Sequence, residues 1–136
     1  MLLIMGAALD SQSKADAMAS LHSLSEEYVQ GTFNKRYPND SRVRYFSYAG
    51  KTCRAWENCG DTVDVEISLT YEILHSQVGD NDGIVPTDGA KWGEFLGILP
   101  ADHFDEVGQV AGVTNENFNH IEFYKGLAGF LKDEGF

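Results

Sequence analysis

"HFDEVGQV", residues 103–110, sets His103 on the threshold of a segment with helical spacing, with Asp105 and Gln109 one turn apart behind it. About twenty residues upstream, "GDNDGIVP" (79–86) offers Asp82 between Asn81 and Gly83 on a turn. An acid followed by a histidine is two thirds of a hydrolytic triad, in which imidazole takes a proton from a nucleophile and later returns it to the leaving group. The spacing predicts a helix over Phe104 to Ala111, with Gly112 as its left-handed C-cap. On such a helix the oxygens of Asp105 and Gln109 share a face, and with a backbone carbonyl just past the helix end they can offer a hard cation such as calcium several ligands. Each feature also has a plain reading: His103 as a surface loop histidine, Asp82 as turn chemistry, Asp105 as a favourable charge in a first helical turn.

A chain of 136 residues has room for a single core. With 43% hydrophobic and 23% charged residues it has the profile of a folding globular domain. A formal net charge of -11 excludes nucleic acid as a partner, because that affinity comes largely from Lys and Arg meeting phosphates. "GDNDG" is not an EF-hand loop, since that register puts Gly89 where a bidentate Glu is required. Cys53 and Cys59 lack a nearby histidine for zinc and read as a local disulfide or two free thiols. "MLLIMGAAL" carries no positive n-region and is too short to span a bilayer, so it reads as a buried helix segment and not a signal peptide.

From Asp16 to Phe33, apolar residues at steps of three to five predict a helix or two short ones, broken by "KRYPND" (35–40). "VRYFSYAG" (43–50) reads as a buried strand, and "KTCRAWENCGD" (51–61) as a loop. Val63, Val65, Ile67, Leu69, Tyr71 and Ile73 alternate with polar residues, which by periodicity alone is a half-buried strand. "EFLGILP" (94–100) is a short apolar run ended by Pro100, and residues 117–131 form an amphipathic closing helix. His22, His75 and His120 show no ligand spacing, and Trp56 and Trp92 read as packing residues. The order strand, acid loop, strand, histidine loop, helix is that of the second half of an α/β sheet. No Gly-x-Ser-x-Gly elbow occurs: the glycine pairs four apart centre on Asn81, Lys91, Phe95 and Val110.

Taken together, "NDGIV" (81–85), "HFDEVGQV" (103–110), "SLHSLSEEYVQGTFNKRYP" (20–38) and "VRYFSYAG" (43–50) resemble the C-terminal half of the pseudomonad-type secreted bacterial triacylglycerol lipases, of the α/β-hydrolase fold. The resemblance covers about residues 17 to 113. It implies one partial domain over 1–136, with lid or cap helices over about 1–36 and the last strands, acid and base loops and closing helix over 43–136. Asp82 is then the triad acid and His103 the triad base. Asp105, Gln109, the carbonyl of Val113 and one further carboxylate hold a structural calcium; Asp61 is the choice for that carboxylate, with Asn58 and Asp64 as alternatives. The family's second half-cystine falls near Asp88, which leaves Cys53 and Cys59 to pair locally, and the stretch matching 61–71 is helical in the family, against the alternation, so the resemblance turns the expectation there to helix. The nucleophilic serine and oxyanion hole belong to the N-terminal half. A lipid ester substrate, a dedicated foldase, secretion and self-association through an open sheet edge are further implications. The competing expectation is a non-catalytic, calcium-stabilised binding module, or a half that assembles with a separate nucleophile-bearing chain.

Overall fold

The structure, a computed structural model, describes residues 25–136 together with positions 19 and 23. The expectations for "LLIMGAAL" and for most of the first predicted helix lie outside the described residues. Its end is seen as α1 (Glu26–Tyr28), a π-helical segment (Val29–Phe33) and α2 (Asn34–Arg36). Then come β1 (Phe46–Gly50), α3 (Ser68–Val78), β2 (Glu94–Leu99), a 3-10 turn (Asp105–Val107) and α4 (His120–Asp133). The chain is α/β: β1 and β2 pair in parallel from Phe46 opposite Glu94 to Gly50 opposite Leu99, with a register shift between Ser47 and Tyr48 that leaves Leu96 as the extra residue. Parallel pairing requires a long crossover, here residues 51–93 with α3 inside it, and it brings the carboxyl ends of both strands to one edge. Both catalytic candidates sit on loops at that edge.

Aromatic contacts hold α4 against the sheet. Phe46 meets Phe130 edge-on at 5.2 Å between centroids and Tyr48 meets Phe123 at 5.0 Å, a geometry that suits the ring quadrupoles. Phe123, Leu127, Phe130 and Leu131 form the half-buried stripe, spaced as an amphipathic helix demands. Asn119 caps the helix, its side chain accepting from the Glu122 N–H at 3.1 Å.

Of the two readings of the 63–73 stretch the structure bears out the helix that the resemblance favours, and one other expected element is corrected. Ser68–Val78 is helical where alternation predicted a strand. The burial explains it: Ile67 and Tyr71, four apart, are buried, while Val65 and Leu69, on the supposed inward face of a strand, are 82% and 54% exposed. The helix also starts later than the family pattern implies, since 61–64 has no regular structure. The predicted helix over 104–111 is a single 3-10 turn that stops at Gly108, whose φ is +60°. That left-handed backbone favours glycine and ends the helix early, and the His120 ring packs over the site, its Nε2 2.6 Å from where a Cβ would lie. Trp56, read as a packing residue, is 80% exposed.

The buried residues include Thr52, Asp61, Asn81, Asp82, Thr87, Asp102 and Asp105 beside Ala49, Cys53, Ile67, Tyr71, Ala101 and Phe118. An interior this polar is stable only where its donors and acceptors are matched, and the matching is concentrated around one site.

Candidate active site

The acid loop is built by side chains that replace regular backbone pairing. Asn81 is fully buried; its Nδ2 donates to the Gly79 carbonyl at 2.9 Å and its Oδ1 accepts from the Gly83 N–H at 2.8 Å. Asp82 Oδ1 accepts from the N–H groups of Ile84 and Val85 at 2.8 and 2.6 Å. These are Asx-turn bonds, the reason Asn and Asp favour such turns. The loop is pinned to the end of β1: the Thr52 N–H donates to the Asn81 carbonyl at 3.1 Å, and the Thr87 hydroxyl to the Gly50 carbonyl at 3.0 Å.

The turns aim the other oxygen of Asp82 at His103. Asp82 Oδ2 lies 2.8 Å from His103 Nδ1, and the His103 N–H donates to the Asp82 carbonyl at 2.9 Å. A buried carboxylate that already accepts two N–H bonds requires the proton on Nδ1, which leaves Nε2 with its lone pair outward. The side chains are 5% and 37% exposed, so the acid is shielded while the imidazole reaches solvent. The bond to Asp82 raises the His103 pKa above its ordinary value, against the opposing effect of burial. Such a pair orients a general base and stabilises the imidazolium that forms when it takes a proton.

Glu106, which sequence reasoning missed, joins this pair. It lies one helical turn after His103, the one signal that could have found it, and ligand atoms of Asp82, His103 and Glu106 fall within 4.8 Å of one another. Burial first, then the Asp82 charge, pushes its carboxyl up to about 7. Its carboxylate fills the space above Gly50, where any Cβ would meet it and would also come within 2.8 Å of the Ala101 carbonyl.

Behind the histidine loop lies an acidic cleft of about 450 Å³ lined by Asn58, Asp61, Asp64, Asp105 and Val113 among others. Ligand oxygens of Asp64, Asp102 and Asp105 lie within 4.8 Å of one another. Asp105 Oδ2 accepts from the Asn115 backbone N–H at 2.9 Å and side-chain amide at 3.0 Å. Among the described residues, neither carboxylate oxygen of buried Asp61 makes a hydrogen bond of good geometry, although the Thr52 hydroxyl and the Thr62 N–H face it closely enough to oppose the effect of burial. Burial, the largest cause, raises the Asp61 pKa, and the same effect with the charges of Asp102 and Asp105 lifts Asp64 to about 6. Of the sequence-predicted ligands, Asp61, Asp105 and Val113 border one cleft; Gln109 is exposed and is absent from its lining, because Gly108 has already turned the chain off the helix axis. Cys53 and Cys59 form a disulfide that closes the loop just before Asp61.

Fold and site together define an α/β chain with a buried carboxylate bonded to an accessible imidazole at the carboxyl edge of a parallel sheet. Over 76 residues, 55% of its length, the chain is 37% identical to "Triacylglycerol lipase 2" of Saccharomyces cerevisiae (strain ATCC 204508 / S288c), which supports a relationship to lipases. It spans 22% of that protein's length. No family model and no solved structure matches the chain.

Proposed function

We propose that this chain is the acid- and base-bearing C-terminal portion of a triacylglycerol lipase of the α/β-hydrolase fold, similar to the secreted pseudomonad type. The observation that carries this reading is the 2.8 Å contact between Asp82 Oδ2 and His103 Nδ1, with the acid buried and its second oxygen tied down. In the complete enzyme a serine from sequence outside these 136 residues attacks the ester carbonyl. His103 Nε2 takes the serine proton and delivers it to the departing alkoxide, and Asp82 stabilises the imidazolium between the two transfers.

The acidic cleft fits a structural calcium ion. Buried carboxylate oxygens without a hydrogen bond of good geometry, beside further carboxylates, are a donor set for a hard cation and are costly without one. Asp61, Asp64 and Asp105 would hold it, with the Val113 carbonyl at the rim; Gln109 reaches it only after a rearrangement of residues 108–113. The ion would supply positive charge that compensates the carboxylates and braces the loop carrying His103. Secretion and help from a foldase follow from the same reading. The lack of a Gly-x-Ser-x-Gly elbow in this sequence favours, as a second reading, a half that assembles with a nucleophile-bearing chain.

The test joins this chain to the coding sequence upstream of Met1 and measures hydrolysis of emulsified tributyrin. Replacing Asp82 by Asn or His103 by Ala should lower kcat by about 10³–10⁴-fold, as loss of a triad member does. Retention of activity in His103→Ala, or ester turnover by the 136-residue chain alone, would overturn the proposal.

A further inference from the structure

The residue immediately before His103 is an aspartate. Asp102 is 1% exposed, and a carboxylate so deeply buried must have its lone pairs matched. They are. Asp102 Oδ1 accepts from the N–H groups of Phe104 and Asp105 at 2.9 and 3.0 Å, capping the 3-10 turn that follows His103. Its Oδ2 accepts from the Asp64 N–H at 2.8 Å, across 38 positions in sequence. The Glu106 N–H bonds to the Asp102 carbonyl at 3.1 Å. His103 is thus held on both sides: Asp82 grips its ring and its N–H, while the preceding side chain grips the backbone of the two residues after it and fastens all three to the 61–64 loop.

The first two bonds would be served by any capping residue, such as Ser or Asn. The third requires an acceptor on the second branch of the side chain, which Asp has and Asn lacks. That bond links the acidic cleft to the base, because the 61–64 loop supplies Asp61 and Asp64 to the cleft. We propose that Asp102 is a positioning residue for the reaction, its carboxylate transmitting the placement of the 61–64 loop to the imidazole of His103. The inference rests on the acyl-hydrolase reading of the site for its kinetic consequence, and on the hydrogen bonds alone for its structural one.

Asp102→Asn keeps an oxygen for Phe104 and Asp105 and turns an N–H donor towards the Asp64 N–H. In the complete enzyme, with the soluble ester p-nitrophenyl butyrate, kcat should fall by about 10- to 100-fold with KM unchanged within about twofold, the signature of a misplaced catalytic group. In proton NMR the downfield resonance of the His103 Nδ1–H, bonded to Asp82, should shift or broaden in the variant. A folded Asp102→Asn enzyme with kcat within about twofold of the parent, or with that resonance unmoved, overturns the proposal. If Asp102→Asn fails to fold, the comparison of Asp64→Pro with Asp64→Ala decides: both lose the Asp64 carboxylate, and only Pro loses the N–H. The Pro variant should have at least tenfold lower kcat than the Ala variant, and equal values overturn the proposal. If the parent enzyme cleaves no ester, the functional reading fails by itself, and the NMR comparison still judges the coupling of Asp102 to His103.

Discussion

Raising the pH from about 4.5 to about 7.5 in the presence of a chelator should destabilise this protein, the reverse of what carboxylates in salt bridges produce. Burial and neighbouring charge lift Asp64 from 3.8 to about 6 and Glu106 from 4.5 to about 7, and Asp61 is raised as well. A carboxyl group with a raised native pKa binds more protons folded than unfolded within that window, so unfolding free energy falls as pH climbs through it. His103, also raised, contributes stability below its unfolded value that is lost as pH passes its folded one, which is the same direction. Asp64 and Glu106 are each shifted by roughly two units, an upper bound of about 3 kcal/mol apiece, which partial solvent exposure reduces to about 1–2. Together they amount to about 2–4 kcal/mol, or roughly 10 °C in Tm for a chain of this size. Calcium at about 2 mM competes with protons for Asp61, Asp64 and Asp105, so it should raise Tm more at the higher pH and remove about half of the slope. Calorimetry at fixed ionic strength, with EDTA or calcium, reads all of this. Asp64→Asn should flatten the EDTA curve, which separates the cleft from general repulsion in a chain of net charge -11. A Tm that stays level or rises with pH in EDTA, or a calcium increment equal at both ends, refutes the reasoning.

Replacing Cys53 and Cys59 together by Ser opens a loop of six-residue separation and should lower unfolding free energy by about 2 kcal/mol, measured in urea; an unchanged midpoint would deny the bond a structural role. Gly50→Ala drives a Cβ to within 2.8 Å of the Ala101 carbonyl and 3.0 Å of Asp82 Cβ, and should cost about 2 kcal/mol or more while disordering the acid loop. Gly126→Ala, on α4 with no atom within 4 Å of the new Cβ, should stabilise by about 0.5–1 kcal/mol, and the pair of melting curves tests whether the crowding at Gly50 is real.

What the sequence made legible is what local chemistry decides. The "FSYAG" end of "VRYFSYAG" forms β1, while Val43 and Arg44 before it are exposed; "EFLGIL" forms β2, and the tail forms α4, because aromatic and β-branched runs or a 3.6-residue stripe fix those elements without help from afar. The pairing of Asp82 with His103 was legible for a different reason: turn chemistry placed Asp82 on a loop, and the resemblance of "NDGIV" and "HFDEVGQV" to the lipase motifs is what joined it to His103. The misreadings fall where tertiary contacts prevail. Val63 to Ile73 alternates as a strand does, but helical spacing also joins Ile67 to Tyr71, and those two are the ones buried. Gly108 and Gly112 both suit a C-cap; only the packing of His120 over Gly108 selects the earlier one. Glu106 and Asp102 carry no motif of their own, and their burial depends on loops that meet only after folding.

The two halves of the site differ in how their charges are compensated. Each oxygen of Asp82 has an N–H partner, so its carboxylate is oriented by protein groups alone. Beside the cleft, Asp102 is saturated by three N–H donors and Asp105 accepts two from Asn115, whereas Asp61 makes no hydrogen bond of good geometry and has only the opposing pull of the Thr52 hydroxyl and the Thr62 N–H. Hydrogen bonding therefore accounts for Asp102 and Asp105 and leaves Asp61 poorly compensated. That residue of uncompensated charge has two remedies, protonation or a cation, and the raised pKa values of Asp61 and Asp64 record the first. Because Asp102 joins the 61–64 loop to the backbone N–H groups of Phe104 and Asp105, just after His103, whichever remedy operates bears on the placement of His103. A proton leaves the loop without a point around which its carboxylates converge. A divalent ion gives it one, which is why the cleft is expected to matter most near neutral pH, where protons on these groups become scarce.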